Sequence, residues 1–157
     1  MSAITMKHKS SGFSLIELMI VCVIVAILGA IVIPSYNAQI RKSRRTEAKT
    51  ALADFAAREE RYYATQNVYA TDPVSLQYTT AGTWPVSIGN YYSVTLIPTD
   101  VSAATATTPA TFVVRVVPSA GSTQLKDTSC QTFLMDNTGK QTSLDSGGAD
   151  STSTCWP

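Results

Sequence analysis

The sequence predicts an α+β fold in which one long N-terminal helix packs on a C-terminal antiparallel sheet of about three or four strands. Two observations carry this prediction. A strongly apolar run near the N-terminus continues into a segment of helical periodicity, and the remainder alternates apolar and polar residues in short stretches typical of strands. Because the chain has 157 residues, of which 45% are hydrophobic, we expect one ordinary domain with its own core.

The first half of the predicted helix is apolar enough to span a bilayer. Residues 18–33 form 16 consecutive uncharged residues, and counting back to Phe13 adds only Ser14 and Glu17 as polar interruptions. A helix of this size covers about 24 to 32 Å, which matches the hydrocarbon core of a membrane. Two lysines precede the run, as in the positive segment of a targeting sequence. We therefore expect a membrane-targeting segment at this end of the chain.

The second half of the helix is predicted to be amphipathic. Pro34 follows the run and is expected to bend the helix, because proline removes one backbone hydrogen bond. Helical spacing of apolar residues then resumes, so the predicted helix runs from about Phe13 to about Ala64 with a kink near Pro34. Three of its side chains are expected to be buried against the C-terminal head: Leu52, Phe55 and Tyr62.

The strands are predicted from alternation. Residues 91–97 alternate, with Tyr92, Val94 and Leu96 on one face, and residues 111–117 alternate in the same way. In the second stretch the shared face carries Phe112, Val114 and Val116, and residues 131–136 form a third strand. The sequence DNTGK at 136–140 is a turn that leads to a possible fourth strand. A helix followed by consecutive strands is typical of an antiparallel sheet that covers one face of the helix.

The sequence shows almost no pattern that indicates catalysis. The one histidine, His8, precedes the apolar run, and the sequence has no glycine-rich phosphate loop and no nucleophile-elbow pattern. The segment DSGGAD at 145–150 has two carboxylates but lacks the regular oxygen ligands of a calcium loop, so we interpret it as a plain loop. The sequence predicts a protein that is not an enzyme, with no catalytic residue, no cofactor and no metal site.

Glu17 separates three interpretations of the apolar run. A secretory signal would need small residues before a cleavage site beyond the run, and the candidate ending at Ala30 has Leu28 where the first of them belongs. A permanent anchor fits the length of the run but gives no reason for the carboxylate, which costs about 2.5 to 3.5 kcal/mol in hydrocarbon. In the third interpretation, Gly12 ends a short polar leader, and processing leaves the run attached to the mature chain.

The stretch from Gly12 to Leu18, GFSLIEL, resembles the processing site of type IV prepilins and of the related type II secretion pseudopilins. The resemblance implies cleavage between Gly12 and Phe13 by a prepilin peptidase, followed by N-methylation of Phe13. It divides the chain into a leader at 1–12, a membrane and filament-core half-helix at 13–34, and a pilin head at 35–157. The segment 45–63 and a C-terminal segment flanked by cysteines resemble PilE-type minor pilins most.

Cleavage after Gly12 would create a partner for Glu17. The new amino group of Phe13 is a cation, and a neighbouring subunit shifted along a filament axis could offer it to this carboxylate. Pairing buried charges between subunits favours one axial register over others. The alternative is a glutamate that reaches the bilayer boundary without a partner. Exposing the apolar side chains of this helix to water is unfavourable in free energy. The run is therefore expected to stay in lipid or to pack with copies of itself in a helical filament.

A basic cluster follows the run, with RKSRR at 41–45 and Lys49 one turn later. Positive charge beside a membrane segment usually stays in the cytoplasm, which would place the head there. The pilin resemblance and the cysteines instead favour a head outside the cytoplasm. We interpret the cluster as a solvated helix face that also meets lipid phosphates or acidic neighbours. This interpretation disfavours nucleic acid as a partner, since no aromatic residue is interleaved with the cluster in the sequence.

Cys130 and Cys155 lie in the predicted head with 24 residues between them. If the head lies outside the cytoplasm, they are expected to form a disulfide; in a cytosolic domain they would remain thiols. In pilins such a C-terminal disulfide loop is typically an exposed and variable surface. The resemblance therefore implies that the segment 130–155 is a contact region.

The sequence thus predicts a structural subunit of a type IV pilus, more specifically a minor pilin in pilus initiation or assembly and hence in motility or adhesion. The expected partners are other pilin subunits, the prepilin peptidase, the inner-membrane assembly machinery and, before assembly, the lipid bilayer. We expect an inner-membrane protein with a periplasmic head that becomes part of an extracellular pilus. The alternatives are a major pilin or a secretion pseudopilin and, in another class, a single-pass membrane-anchored binding domain in the periplasm.

Overall fold

The structure is a computed structural model that describes residues 12–80, 82–96 and 101–156. The leader predicted at 1–12 lies outside the described residues except for Gly12. In chain order the elements are α1 (Leu15–Gln66), β1 (Val86–Ile88), β2 (Tyr92–Leu96), β3 (Val113–Pro118), a 3-10 helix (Thr123–Lys126), β4 (Thr132–Asp136), β5 (Gln141–Leu144) and α2 (Thr152–Cys155). The predicted combination of a long N-terminal helix and a C-terminal antiparallel sheet is confirmed.

The chain divides into two compact units, and α1 contributes to both of them. The first unit ends at Ala38 and the second, which we call the head, begins at Gln39. The helix begins and ends within two residues of the predicted bounds and continues through Pro34. Ser14 caps its start, since the Ser14 hydroxyl accepts a hydrogen bond from the backbone N–H of Glu17 at 3.2 Å. The kink near Pro34 remains a prediction.

The sheet is an antiparallel meander in which the strand order follows the chain order. It has five strands, so the predicted number of three or four was too low. The missed strand, β1, has only three residues and pairs Val86 with Val94 at the edge of the sheet. A strand this short shows too few alternations to be detected by periodicity. The predicted turn at 136–140 is confirmed, with Gly139 at φ 78° and its N–H donating to the carbonyl of Asp136 at 2.9 Å.

The core of the head lies between the second half of α1 and one face of the sheet. Leu52 and Phe55 are fully buried, as predicted, whereas Tyr62 is only half-buried at the margin of the core. Alternate residues of β2 and β3 fill the sheet side, including Val94 and Val116, which pair across the two strands. Tyr92, Leu96, Phe112, Val114 and Phe133 complete this layer. The period-two pattern of the sequence therefore identified the buried face of the central strands correctly.

Candidate functional site

The apolar run is exposed in the single chain. Every large apolar side chain from Phe13 to Ile33 is at least 51% exposed. In the described part of the chain, α1 is the one helix that is long and apolar enough to cross a membrane, and an 18-residue window within it has a mean hydropathy of 3.1. The run thus presents continuous apolar surface with one carboxylate, Glu17, near its start.

Glu17 lies in the first turn of α1 and is exposed. Among the residues that the structure describes, its carboxylate takes part in no ion pair. Its backbone N–H is bound by the Ser14 hydroxyl, which gives the sequence Ser14-Leu15-Ile16-Glu17 the spacing of a capping box. A carboxylate in the first turn also interacts favourably with the positive end of the helix dipole. Sequence reasoning missed the cap, which gives this segment a second role at the start of the helix.

The head carries a basic surface on α1. We define this basic surface as the cationic side chains on one side of the helix together with two aromatic rings that contact them: Arg41, Lys42, Arg44, Lys49, Tyr91 and Trp156. The guanidinium carbon of Arg44 lies 3.7 Å from the centroid of the Tyr91 ring, and Nζ of Lys49 lies 4.9 Å from that of Trp156. Both contacts are cation–π interactions. Aromatic residues are therefore interleaved with the cluster in space, although they are far from it in the sequence.

One arginine of the cluster has a structural role instead. Arg45 forms a bidentate ion pair with Asp127, with both N–O distances at 2.8 Å. Gln124 lies beside this pair and donates to the Asp127 carboxylate at 3.0 Å and to the backbone carbonyl of Arg41 at 3.1 Å. Arg44 adds a hydrogen bond to the Thr123 hydroxyl at 2.8 Å. These contacts fix the 3-10 helix against α1 and leave the remaining cations of the basic surface without a carboxylate partner among the described residues.

The cations of the basic surface lie close enough together to affect the pKa of Lys49. Burial lowers the pKa of Lys49 below its ordinary value, and the neighbouring cations Arg45 and Lys42 lower it further. Arg45 is paired with Asp127, but the cations of the basic surface form no ion pair among the described residues. The surface therefore has an excess of positive charge that a polyanion or an anionic surface could neutralise.

The C-terminal segment is closed by the disulfide between Cys130 and Cys155, whose Cα atoms are 5.9 Å apart. The predicted pairing is therefore observed. Trp156 follows directly and packs edge-on against Phe133, with ring centroids 5.9 Å apart, while its indole N–H donates to the carbonyl of Thr142 at 3.2 Å. The disulfide thus positions the aromatic ring that Lys49 contacts.

The two carboxylates of the segment 145–150 organise turns. Asp145 accepts hydrogen bonds from the N–H groups of Gly147 and Ala149 at 2.8 and 2.9 Å, and Asp150 accepts one from Thr152 at 2.8 Å. These contacts fit the interpretation of this segment as a plain loop. Within the described residues, no group of three or more metal-ligating side chains comes together.

A buried carboxyl group in the head escaped the sequence analysis. Glu59 is fully buried; its Oε2 accepts a hydrogen bond from the backbone N–H of Ala70 at 2.9 Å, and its Oε1 has no partner among the described residues. Burial raises the pKa of Glu59 to about 7, the negative charges of Glu60 and Asp72 act in the same direction, and the Ala70 bond opposes them. Glu59 thus fixes the start of the connection after α1 at the cost of burying an acid.

Comparisons with known proteins agree with these features. A family model described as "Type IV minor pilin ComP, DNA uptake sequence receptor" matches residues 34–134, and one described as "Prokaryotic N-terminal methylation motif" matches residues 7–33. Among curated relatives, fimbrial protein EcpC of Eikenella corrodens is 36% identical over 67 residues, 43% of this chain and 44% of that protein. Type IV major fimbrial protein FimA of Dichelobacter nodosus is 51% identical over 49 residues, 31% of this chain and 30% of that protein.

These matches span less than half the length of either curated relative. A solved type IV pilin from Shewanella oneidensis is 22% identical, covers 64% of this chain and 89% of that one, and has a TM-score of 0.38. The minor pilin model, in contrast, matches well over half of the present chain, including most of the head. The chain therefore belongs to the family of the type IV minor pilin ComP, and the resemblance to type IV pilins that its sequence suggested is confirmed.

Proposed function

We propose that this chain is a minor pilin whose residues 13–34 pass from the bilayer into the core of a type IV pilus. The observation that carries the proposal is the exposure of the apolar run. Burying a large apolar side chain is worth about 1.5 to 3 kcal/mol, so a run of this length would cost roughly tens of kcal/mol in water. Since neither the head core nor the run itself covers these side chains, lipid or other subunits must do so.

Processing between Gly12 and Phe13, with N-methylation of Phe13, belongs to this proposal. The N-terminal methylation motif at residues 7–33 supports it, as does the resemblance of the sequence around Glu17 to prepilins. The exposed apolar run and the amine that cleavage would create supply the two parts of an assembly segment. The peptidase and the membrane assembly machinery would be partners before assembly, and other pilin subunits afterwards.

Glu17 is proposed to pair with the Phe13 amine of a neighbouring subunit and so to set the axial register. The Ser14 cap offers a matched control, because Ser14→Ala removes the cap hydrogen bond while leaving the carboxylate in place. An unpaired buried charge costs several kcal/mol, so Glu17→Ala should lower the amount of subunit in sheared filaments by about tenfold or more. Ser14→Ala should have little effect, since a cap is worth about 1 kcal/mol.

The experiment measures each variant in filaments and in membranes by quantitative immunoblotting, and measures cleavage by intact mass. Both variants should be cleaved normally. Wild-type incorporation of Glu17→Ala would remove the carboxylate from the assembly mechanism. An equal loss in Ser14→Ala and Glu17→Ala would assign the effect of both residues to the helix cap.

A second function, contact of the head with DNA, is favoured by the basic surface. Sequence reasoning disfavoured a nucleic-acid partner because it found no aromatic residue among the cations, and Tyr91 and Trp156 remove that objection. Unneutralised cations bind phosphates, and rings beside them provide surfaces for bases or sugars. The description of the family model, which names a DNA uptake sequence receptor, supports the same function.

The DNA function is tested with the mature, detergent-solubilised chain and a duplex, over a range of salt concentrations. Each phosphate contact contributes about 0.9 to the slope of log K against log salt, so Lys42→Gln should reduce the slope by about that amount. Lys140→Gln, an exposed lysine on the turn between β4 and β5, is the matched control and should leave the slope unchanged. Equal slopes for wild type and Lys42→Gln would exclude Lys42 from the DNA contact.

Two alternatives make different predictions. A major pilin or a secretion pseudopilin would share the fold and the processing but differ in copy number, so the number of copies per filament separates them from a minor pilin. A single-pass anchored binding domain would keep an unprocessed N-terminus and would be absent from filaments. Quantitative mass spectrometry of purified pili measures both properties.

A further inference from the structure

The basic surface begins a short distance after the apolar run. Tyr36 is 65% exposed and lies two residues beyond Pro34, the position at which membrane helices commonly place an aromatic residue in the interface. Arg41 follows Tyr36 by five residues within the same continuous helix, α1. The first cation of the basic surface, Arg41, therefore follows the candidate interfacial residue within about one and a half helical turns, and Lys42 and Arg44 come directly after it.

This spacing brings the first cations to the level of lipid phosphates. Five helical residues cover about 7.5 Å, and the polar headgroup layer is about 5 to 7 Å thick on each side of the hydrocarbon core. Lys and Arg side chains extend several ångströms and can direct their charged ends back towards the interface. Lys42 is exposed and Arg41 is half-buried, while the half-buried Arg44 also contacts Thr123 and Tyr91.

The charge of the surface fits an anionic partner. Of the cations on this side of α1, Arg45 is neutralised by Asp127. Glu47 is the one carboxylate within the segment 41–49, against the four remaining cations Arg41, Lys42, Arg44 and Lys49. Basic segments beside a membrane helix bind anionic lipids by this excess of charge, and salt weakens the binding.

We propose that the basic surface binds the phosphate headgroups of anionic phospholipids while the subunit resides in the bilayer. The lipid would then occupy the cations proposed above to contact DNA, so that leaving the membrane frees the surface for DNA. The second statement rests on the proposed DNA function, whereas the first does not. Both ligands present phosphate groups, and because the basic cluster follows the apolar run in the sequence, membrane lipid would be its first partner.

The test uses the full mature chain reconstituted into phosphatidylcholine vesicles with spin-labelled phosphatidylglycerol or spin-labelled phosphatidylcholine. Electron paramagnetic resonance measures the fraction of each labelled lipid that is immobilised by protein. The wild type should immobilise phosphatidylglycerol at least about threefold more strongly than phosphatidylcholine at low salt, and this preference should fall at high salt. A triple variant, Arg41→Gln, Lys42→Gln and Arg44→Gln, should lose the preference.

Two further variants separate charge from structure. The charge-preserving triple variant Arg41→Lys, Lys42→Arg and Arg44→Lys should retain the lipid preference, and Lys140→Gln should leave it unchanged. A neutral triple variant with wild-type preference would overturn the proposal. Equal loss in the neutral and charge-preserving triple variants would also overturn it, because specific contacts rather than charge would then be responsible.

A DNA-binding measurement distinguishes the proposed lipid site from the proposed DNA function. Duplex binding is measured for the same proteins in neutral detergent, with and without short-chain phosphatidylglycerol added below its micellar concentration. If the surface is shared, the anionic lipid should lower the affinity of the wild type for DNA, whereas short-chain phosphatidylcholine should not. Lipid preference without any DNA binding would refute the DNA function and retain the lipid site. DNA binding that the anionic lipid leaves unchanged would refute the shared surface.

Discussion

The apolar run and the head differ in how far their apolar side chains are buried. In the run every large apolar side chain is at least half exposed, whereas in the head Leu52 and Phe55 are completely buried and most charged groups lie at the surface. The head therefore obtains its stability from contacts within this chain. The large apolar side chains of the run are exposed among the described residues, and in the proposed function lipid or other subunits cover them. The comparison predicts that equal truncations in the two regions affect different properties.

The largest difference is expected between Phe55→Ala and Leu28→Ala. Phe55 packs against the rings of Trp84, Tyr78 and Phe112, with centroid distances of 5.5, 5.8 and 6.4 Å. Phe55→Ala should lower the free energy of unfolding of the head by about 3 to 5 kcal/mol, because it removes these contacts and leaves a cavity. Leu28→Ala should leave it unchanged, since Leu28 is 56% exposed.

Urea unfolding in detergent, followed by tryptophan fluorescence, measures this difference, because both tryptophans of the chain lie in the head. The Leu28→Ala variant is examined for incorporation into filaments as well, where its effect should appear. Similar destabilisation of the head by both substitutions would contradict the separation of the two regions.

The next largest effect is expected from the disulfide. Its two cysteines are 25 positions apart in the sequence, and closing a loop of this size stabilises a fold by about 3 to 4 kcal/mol in the chain-entropy account. Replacing both Cys130 and Cys155 by serine should lower the stability of the head by that amount. Cys22→Ser, in the run, should not. A double variant as stable as Cys22→Ser would show that the bond contributes nothing to the head.

A smaller effect, visible as a pH dependence, is expected from Glu59. Its pKa is raised to about 7 in the folded head, above the ordinary value of 4.5, so the unfolded state releases its proton first. Stability should be full below pH 4.5, should fall as the pH rises to about 7, and should then level off. Glu59→Gln should remove this loss, of about 1 to 3 kcal/mol, and make the head more stable at pH 8.

Thermal unfolding at pH 5 and pH 8 measures this effect. The control is Glu60→Gln, because Glu60 is exposed and the amide can still accept the hydrogen bond from the Tyr69 hydroxyl. Like the wild type, the Glu60→Gln variant should be less stable at pH 8 than at pH 5. If Glu59→Gln lost as much stability between these pH values as the wild type does, a group other than Glu59 would be responsible.

The contrast between the two regions also explains what the sequence could predict. The apolar run and the central strands were identified because their patterns are long and regular, with Val94 and Val116 at alternate positions of paired strands. Tyr62 was expected to be buried and is only half-buried, because a spacing pattern shows which side of a helix faces the sheet but not where the sheet ends. Periodicity places apolar residues well but gives no account of a buried acid such as Glu59.

The candidate site was the least predictable part. Its cations are close together in the sequence, but Tyr91 contacts them from the turn between β1 and β2, and Trp156 from the segment after α2. The ion pair between Arg45 and Asp127 joins residues 82 positions apart. The disulfide was predictable from cysteine count and compartment, while its effect on the position of Trp156 was not. Long-range contacts of this kind have no local signal that a single sequence could show.

The central claim, that the run is an assembly segment which obtains its counter-ion by processing, is tested most directly by the N-terminus of the native protein. Intact mass and N-terminal fragmentation of protein purified from pili should show a chain that begins at Phe13 and carries one methyl group on its amine. A native chain that retains the leader would contradict the account, because no amine would then lie one helical turn before Glu17.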